Sequence, residues 1–290
     1  MLRRRLLRWL ARPANPLTPR GQPGASEASG ELSERADHSA RRAFLAEHLF
    51  VHTHLPKTGG SAFSHAMAAL FGGLHSLDTR LTRSQTVRAL APDDVTDLHF
   101  LSGHFVYGTE IPDRRTRLYL AVVREPVGRA VSGYRYMATT PEEPEHALVT
   151  GKSFEEAWHA LDRDDAWQRR DLQSLMLLGS RDLARVDWDA LKARVDDDYF
   201  LVIPQDRLAE AVRRLRNAFG VPWAPVARAN VSKGAPVEVT EAMRRMILDA
   251  NPSDARLYSY VAETFDKRLL GACRYIARRC LQRLDDDGAG

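Results

Sequence analysis

The sequence predicts an α/β fold in which a mostly parallel sheet is covered by helices on both faces. Three observations predict it. Short runs of continuous apolar residues, such as RLYLAVV (117–123) and YFLVI (199–203), read as strands buried on both sides. Other segments carry apolar residues at helical spacing. The two kinds alternate along the chain, as crossover helices joining parallel strands require. With 290 residues, 44% of them hydrophobic, the chain can bury a substantial core.

The elements follow in order. Residues 1–42 are rich in Arg, Pro, Gly and Ser and read as a disordered basic arm, leaving 43–290 as a single domain. The opening MLRRRLLRWL reads either as a short amphipathic helix that touches an anionic membrane or as a solubilising tail. HLFVHTHL (48–55) is the first strand, and SAFSHAMAALF (61–71) a helix stopped by Gly72-Gly73. LHFLSGHF (98–105) and RLYLAVV are the next strands. Pro126 stands just inside the start of a helix running to about Met137, where proline's missing N–H costs nothing. Ser153 and Glu156 form a capping box, and DLQSLMLLG (171–179) ends another helix at Gly179. WDALKARV (188–195) reads as a helix and YFLVI as a buried strand. Leu208, Val212, Leu215 and Phe219 mark the next helix, and Thr240 caps a further one. Residues 253–283 read as one long helix or a broken pair.

Composition sets limits on function. No window supplies the 18 or so apolar residues of a membrane span. Cys273 and Cys280 are seven apart in a helix, roughly 10 Å along its axis, too far to bridge each other. Two half-buried thiols suit a reducing, cytoplasmic setting. The net charge of +4 points to an anionic partner. Its distribution narrows the choice: residues 1–42 hold nine Arg against four acidic residues, net +5, leaving 33 basic and 34 acidic residues beyond. The domain is therefore near neutral, which argues against nucleic acid and makes membrane-peripheral contact through the arm the better account of the bulk charge.

Two motifs carry the chemistry. Leu55-Pro56-Lys57-Thr58-Gly59-Gly60-Ser61 lies between a strand and a helix. Its glycines let backbone amides converge, and the helix start adds positive potential, so the loop can cradle an anion. Lys57 adds a cation, Thr58 and Ser61 hydroxyls. The lysine precedes the glycines, unlike the G-x-x-x-x-G-K-[ST] loop, so a Mg-nucleotide site is disfavoured. The second motif is Val122-Val123-Arg124-Glu125-Pro126-Val127-Gly128-Arg129-Ala130-Val131-Ser132-Gly133-Tyr134. Arg124 closes a strand at its carboxyl end, where open α/β sheets bind ligands, and Ser132 stands about two turns into the next helix. Such a pair can grip one phosphate, unless Arg124 instead pairs with Glu125 or Asp113 and Ser132 merely packs.

Together these motifs resemble the phosphosulfate loop and 3′-phosphate motif of sulfotransferases. The closer resemblance is to the polysaccharide family that includes heparan sulfate 2-O- and 6-O-sulfotransferases and their bacterial relatives. Ser102-Gly103-His104-Phe105, Asp171 through Gly179, and Asp254 to Phe265 resemble further family segments in order and spacing. The likeness spans about residues 48–266, with Ile203-Pro204-Gln205-Asp206 departing from the family's Gly-x-x-Glu segment.

The resemblance implies a P-loop-related three-layer fold. It also implies 3′-phosphoadenylyl sulfate (PAPS) as sulfonyl donor and a hydroxyl acceptor, on a carbohydrate or glycolipid, with no metal. It gives Lys57 the bridging oxygen of the donor, and gives Thr58, Gly59, Gly60 and Ser61 its 5′ side. Arg124 and Ser132 receive the 3′-phosphate, and His104 acts as base. An imidazole of ordinary pKa near 6.5 suits that task. His52 and His54 compete for the role but read better as packing groups, and Glu125 reads as an arginine's partner. Tyr134 and Tyr136 read as core or acceptor-groove aromatics, and Asn230–Gly234 as a covering loop or an ordinary turn. The rival readings are a small-molecule kinase with a variant loop and a non-catalytic phosphonucleotide-binding protein.

Overall fold

Four strands form one all-parallel sheet in the order β2-β1-β3-β4. They are β1 (His48–Thr53), β2 (Phe100–Gly103), β3 (Thr116–Val123) and β4 (Tyr199–Pro204). A computed structural model describes residues 41–71, 95, 98–161, 170–180, 186–221 and 237–286. Residues 1–40 of the expected arm, the Gly72-Gly73 stop and the Asn230–Gly234 loop lie outside them.

The helices are α1 (Gly60–Phe71), α2 (Pro126–Thr139), α3 (His146–Val149), α4 (Phe154–Ala160), α5 (Leu172–Leu178) and α6 (Trp188–Ala193). They continue with α7 (Leu208–Ala218), α8 (Glu241–Ala250) and α9 (Pro252–Asp286). Residues 41–47 are also helical and bury Phe44 and Leu45, so ordered structure takes in Arg41 and Arg42, which the sequence groups with the arm.

Successive strand side chains point to opposite faces, and both faces are covered. Phe50, Leu118, Leu120, Val122, Leu201 and Ile203 pack under α1, α7 and the later turns of α9. Leu49, Val51, Leu101, Ala121, Val123 and Val202 pack under α5, α6 and the first turns of α9. The region read as one helix or a broken pair is a single 35-residue helix. Beyond the strand ends, α2, α4 and α8 share a smaller apolar cluster of Val127, Phe154, Trp158, Met243 and Ile247.

Local signals placed the helix ends well. Pro126 opens α2, Ser153 and Glu156 form the capping box of α4, Gly179 ends α5 at φ 79°, and the Thr240 hydroxyl accepts the Met243 N–H. The expected helix over 188–195 instead stops at Ala193 and widens into a π turn over Arg194–Asp198. Arg268, donating to the Val195 and Tyr199 carbonyls, receives that turn from α9.

Strand order fixes where the site lies. From β1 the chain moves to β2 on one side, while from β3 it moves to β4 on the other. Between β1 and β3 the connections part, leaving a crevice at their carboxyl ends, where this class of sheet binds ligands. No helix among the described residues is long and apolar enough to cross a membrane.

Candidate active site

The loop after β1 and the turn after β3 meet across this crevice. Arg124 Nη1 donates to the Lys57 carbonyl at 3.2 Å. Two loop residues adopt left-handed backbone, Gly59 at φ 92° and Lys57 at φ 66°. Glycine does so freely, but a lysine there is strained, and such strain concentrates where function holds it. Gly60 is needed for a different reason: a Cβ there would lie 2.1 Å from the His54 ring. The backbone thus turns tightly over His54 into α1, whose first-turn amides have no intrahelical acceptors and no acidic neighbour in that turn. Ser61 stands in this first turn. The Thr58 hydroxyl, expected to face an anion, is fully buried and donates to the Leu55 carbonyl at 2.9 Å. It shapes the loop.

Arg124 is held from behind. Its N–H donates to Gln173 Oε1 at 2.7 Å, and its carbonyl accepts from Gln173 Nε2 at 2.9 Å, so a buried side-chain amide completes what a neighbouring strand would supply. Gln173 is placed in turn by Asp254. The Asp254 carboxylate accepts the Gln173 and Ser174 backbone N–H groups and the Ser174 hydroxyl, at 2.8 to 3.2 Å. Asp171 gives α5 no side-chain cap of its own but accepts the Asp254 N–H at 2.8 Å. Two helix starts therefore cap each other. Arg129 joins this buried network through Asp254 at 3.9 Å and Asn251 at 3.3 Å.

Glu125, read from sequence as an arginine's partner, is instead the N-cap of α2. Its carboxylate accepts the Val127 and Gly128 N–H groups at 3.1 and 2.8 Å, and the open amides of a helix start are the stronger local claim. Asp113 pairs with Arg115 at 2.5 Å, not with Arg124. Ser132 is buried on α2, two turns beyond Arg124.

On the other side of the loop, three histidines stack. His52 and His54 lie 5.3 Å apart between ring centres, and His54 and His104 lie 4.3 Å apart. His52 is tied through Nδ1 to the Ser102 and Ser64 hydroxyls and, like His54, is buried; both pack beneath the loop as expected. His104 is half-buried, and its Nδ1 lies 2.6 Å from the His54 carbonyl. A carbonyl only accepts, so Nδ1 carries the hydrogen and Nε2 keeps a lone pair, as a proton acceptor must.

Electrostatics follow from burial. Desolvation lowers His54 to about 3, helped by His104 and Lys57, so it stays neutral. His104 is also lowered by burial, with the His54 carbonyl and Glu143 opposing and Lys57 adding to the fall. Lys57 is drawn from 10.5 to about 8 by burial, with Glu143 raising and Arg124 lowering it. Its ammonium lies 3.6 Å from the centre of the Tyr136 ring. No group of three His, Cys, Asp or Glu among the described residues is placed to hold a metal.

Lys57, Gly59, Gly60, Ser61, Arg124 and His104 thus lie on the turns that follow β1, β2 and β3, with Lys57 and Arg124 in contact and Ser132 on α2. Sequence reading missed Gln173 and Asp254 as the supports of Arg124, Glu143 as the carboxylate facing Lys57 and His104, and Tyr136 as the lysine's contact. Gln173 and Asp254 lay in segments that stood out along the chain, and Tyr136 was read as a core or acceptor-groove aromatic but is 40% exposed; Glu143 is a loop residue with no pattern of its own. No family model and no curated protein sequence matches the chain.

Proposed function

We propose that the chain is a sulfotransferase that moves a sulfonyl group from PAPS to a carbohydrate hydroxyl, on a P-loop-related fold. One observation carries the reading: a proton-accepting His104 Nε2, a half-buried Lys57 and a glycine-rich anion cradle share the crevice spanned by Arg124. Binding alone needs the cradle and the cations but has no use for a base.

In this reading the loop amides and Lys57 hold the 5′ phosphosulfate, and Arg124 with Ser132 holds the 3′-phosphate. His104 Nε2 takes the acceptor proton as the new oxygen–sulfur bond forms. Lys57 stabilises the charge on the oxygen that leaves sulfur with adenosine 3′,5′-bisphosphate. Aligning donor, acceptor and base in a rigid site supplies much of the acceleration. Two buried thiols that form no disulfide support a reducing compartment, and the arm's charge supports contact with an anionic surface.

The test has two arms. Adenosine 3′,5′-bisphosphate should raise the melting temperature, and no shift at millimolar ligand overturns the donor assignment. Labelled donor offered with a panel of glycans and glycolipids should yield a labelled product without added Mg²⁺; dependence on Mg²⁺-ATP would favour a kinase.

A further inference from the structure

We infer that Tyr136 is a positioning residue, whose ring face holds the Lys57 ammonium at the mouth of the crevice. The catalytic consequence rests on the reading proposed above; the contact does not. Lys57 is fixed at both ends. Its left-handed backbone is tied by Arg124 Nη1 to the β3 side, and its ammonium lies 3.6 Å from the Tyr136 ring centre. Between these points the stem runs along α2, since a Cβ on Gly133 would meet Lys57 Cγ at 3.9 Å. Gly133 and Tyr136 are three apart on one helix and so share a face, the one along which the lysine stem lies. Tyr136 is 40% exposed, the one large hydrophobic side chain so exposed among the described residues.

The choice of an aromatic ring has a physical reason. A carboxylate in its place would hold the lysine more strongly but would repel an anionic donor. A ring attracts the cation through its quadrupole and carries no net charge. It leaves ammonium hydrogens for the donor's oxygens. The charged and titratable groups facing Lys57 come from every neighbouring element: Glu143 after α2, Arg124 after β3, His104 after β2 and His54 after β1. Of these, only Glu143 favours the charged lysine, so the ring supplies needed support.

Competitive labelling of the full chain with acetic anhydride across pH, read by mass spectrometry, gives the Lys57 ionisation midpoint without reference to activity. Tyr136→Leu keeps bulk and removes the π face; it should lower the midpoint by about half a unit, with Tyr136→Phe unchanged. Tyr136→Gln serves as a second variant at this exposed position and should shift in the same direction. Sulfonyl-transfer kcat should fall roughly three- to tenfold in Leu and recover in Phe. An unchanged or raised midpoint in both Leu and Gln variants overturns the proposal, as does a Phe variant that shifts like Leu. A wild-type chain that transfers no sulfonyl group yet shows these shifts would sink the functional reading and leave the clamp standing.

Discussion

At the residue scale, His104 shows how a backbone contact sets the chemistry of a side chain. The His54 carbonyl fixes its tautomer, and burial keeps it neutral to lower pH than a free imidazole. A base works when deprotonated, so activity should rise through an ionisation below 6.5. In the proposed reading Lys57 acts as the protonated cation and sits near 8, so activity should fall above that value. The kcat/KM profile of the free protein should therefore be bell-shaped between these limits. His104→Ala should abolish turnover while leaving bisphosphate affinity within about twofold. Unchanged turnover in that variant removes His104 from the base role.

At the element scale, the reciprocal capping of α5 and α9 is what puts Arg124 in place. Each helix start is satisfied by an aspartate from the other, so neither helix can shift without exposing its end. Removing Asp254 would leave Arg129 with a weaker set of buried partners and uncap α5. Asp254→Ala should cost about 3–5 kcal/mol in denaturant unfolding, with the conservative Asp254→Asn costing less. Because Gln173 hangs from Asp254 and holds Arg124, the Asn variant should also lose affinity for adenosine 3′,5′-bisphosphate more than for adenosine 5′-phosphate. Equal losses would mean that the network serves stability alone.

At the scale of the whole molecule, the buried histidines couple stability to pH. His52 and His54 are both lowered by burial in the folded protein, His54 to about 3, while unfolded histidine titrates near 6.5. Below 6.5 the unfolded chain takes up protons that the folded one refuses, so stability is full above that pH and is lost on acidification. His54 costs about 1.4 kcal/mol per pH unit in the window from 6.5 towards 3, and His52 adds a loss in the same direction. The melting temperature should drop steeply between pH 6.5 and 5, and His54→Phe should flatten the drop. A melting temperature flat across that window would show that the stack does not stay neutral.

The sequence by itself determined the α/β class, the four strands, most of the helices, and the end signals at Pro126, Ser153 with Glu156, Gly179 and Thr240. These follow from local periodicity and from groups within three or four residues of each other. It also singled out Lys57 and Arg124, because loops between buried strands and helices have few reasons to be rich in glycine and cations, while His104 stood out through its place at a strand end and the family resemblance. Only the tertiary structure decided what those residues face. Parallel pairing brought the ends of β1, β2 and β3 together across dozens of residues, aligned His104 with the His54 carbonyl, and set Gln173 and Asp254 behind Arg124. It also turned Glu125 into a cap and Thr58 inward. Sequence spacing carries no record of such contacts, since the competing partners of a polar group are chosen by burial and geometry, both of which exist only once the sheet is formed.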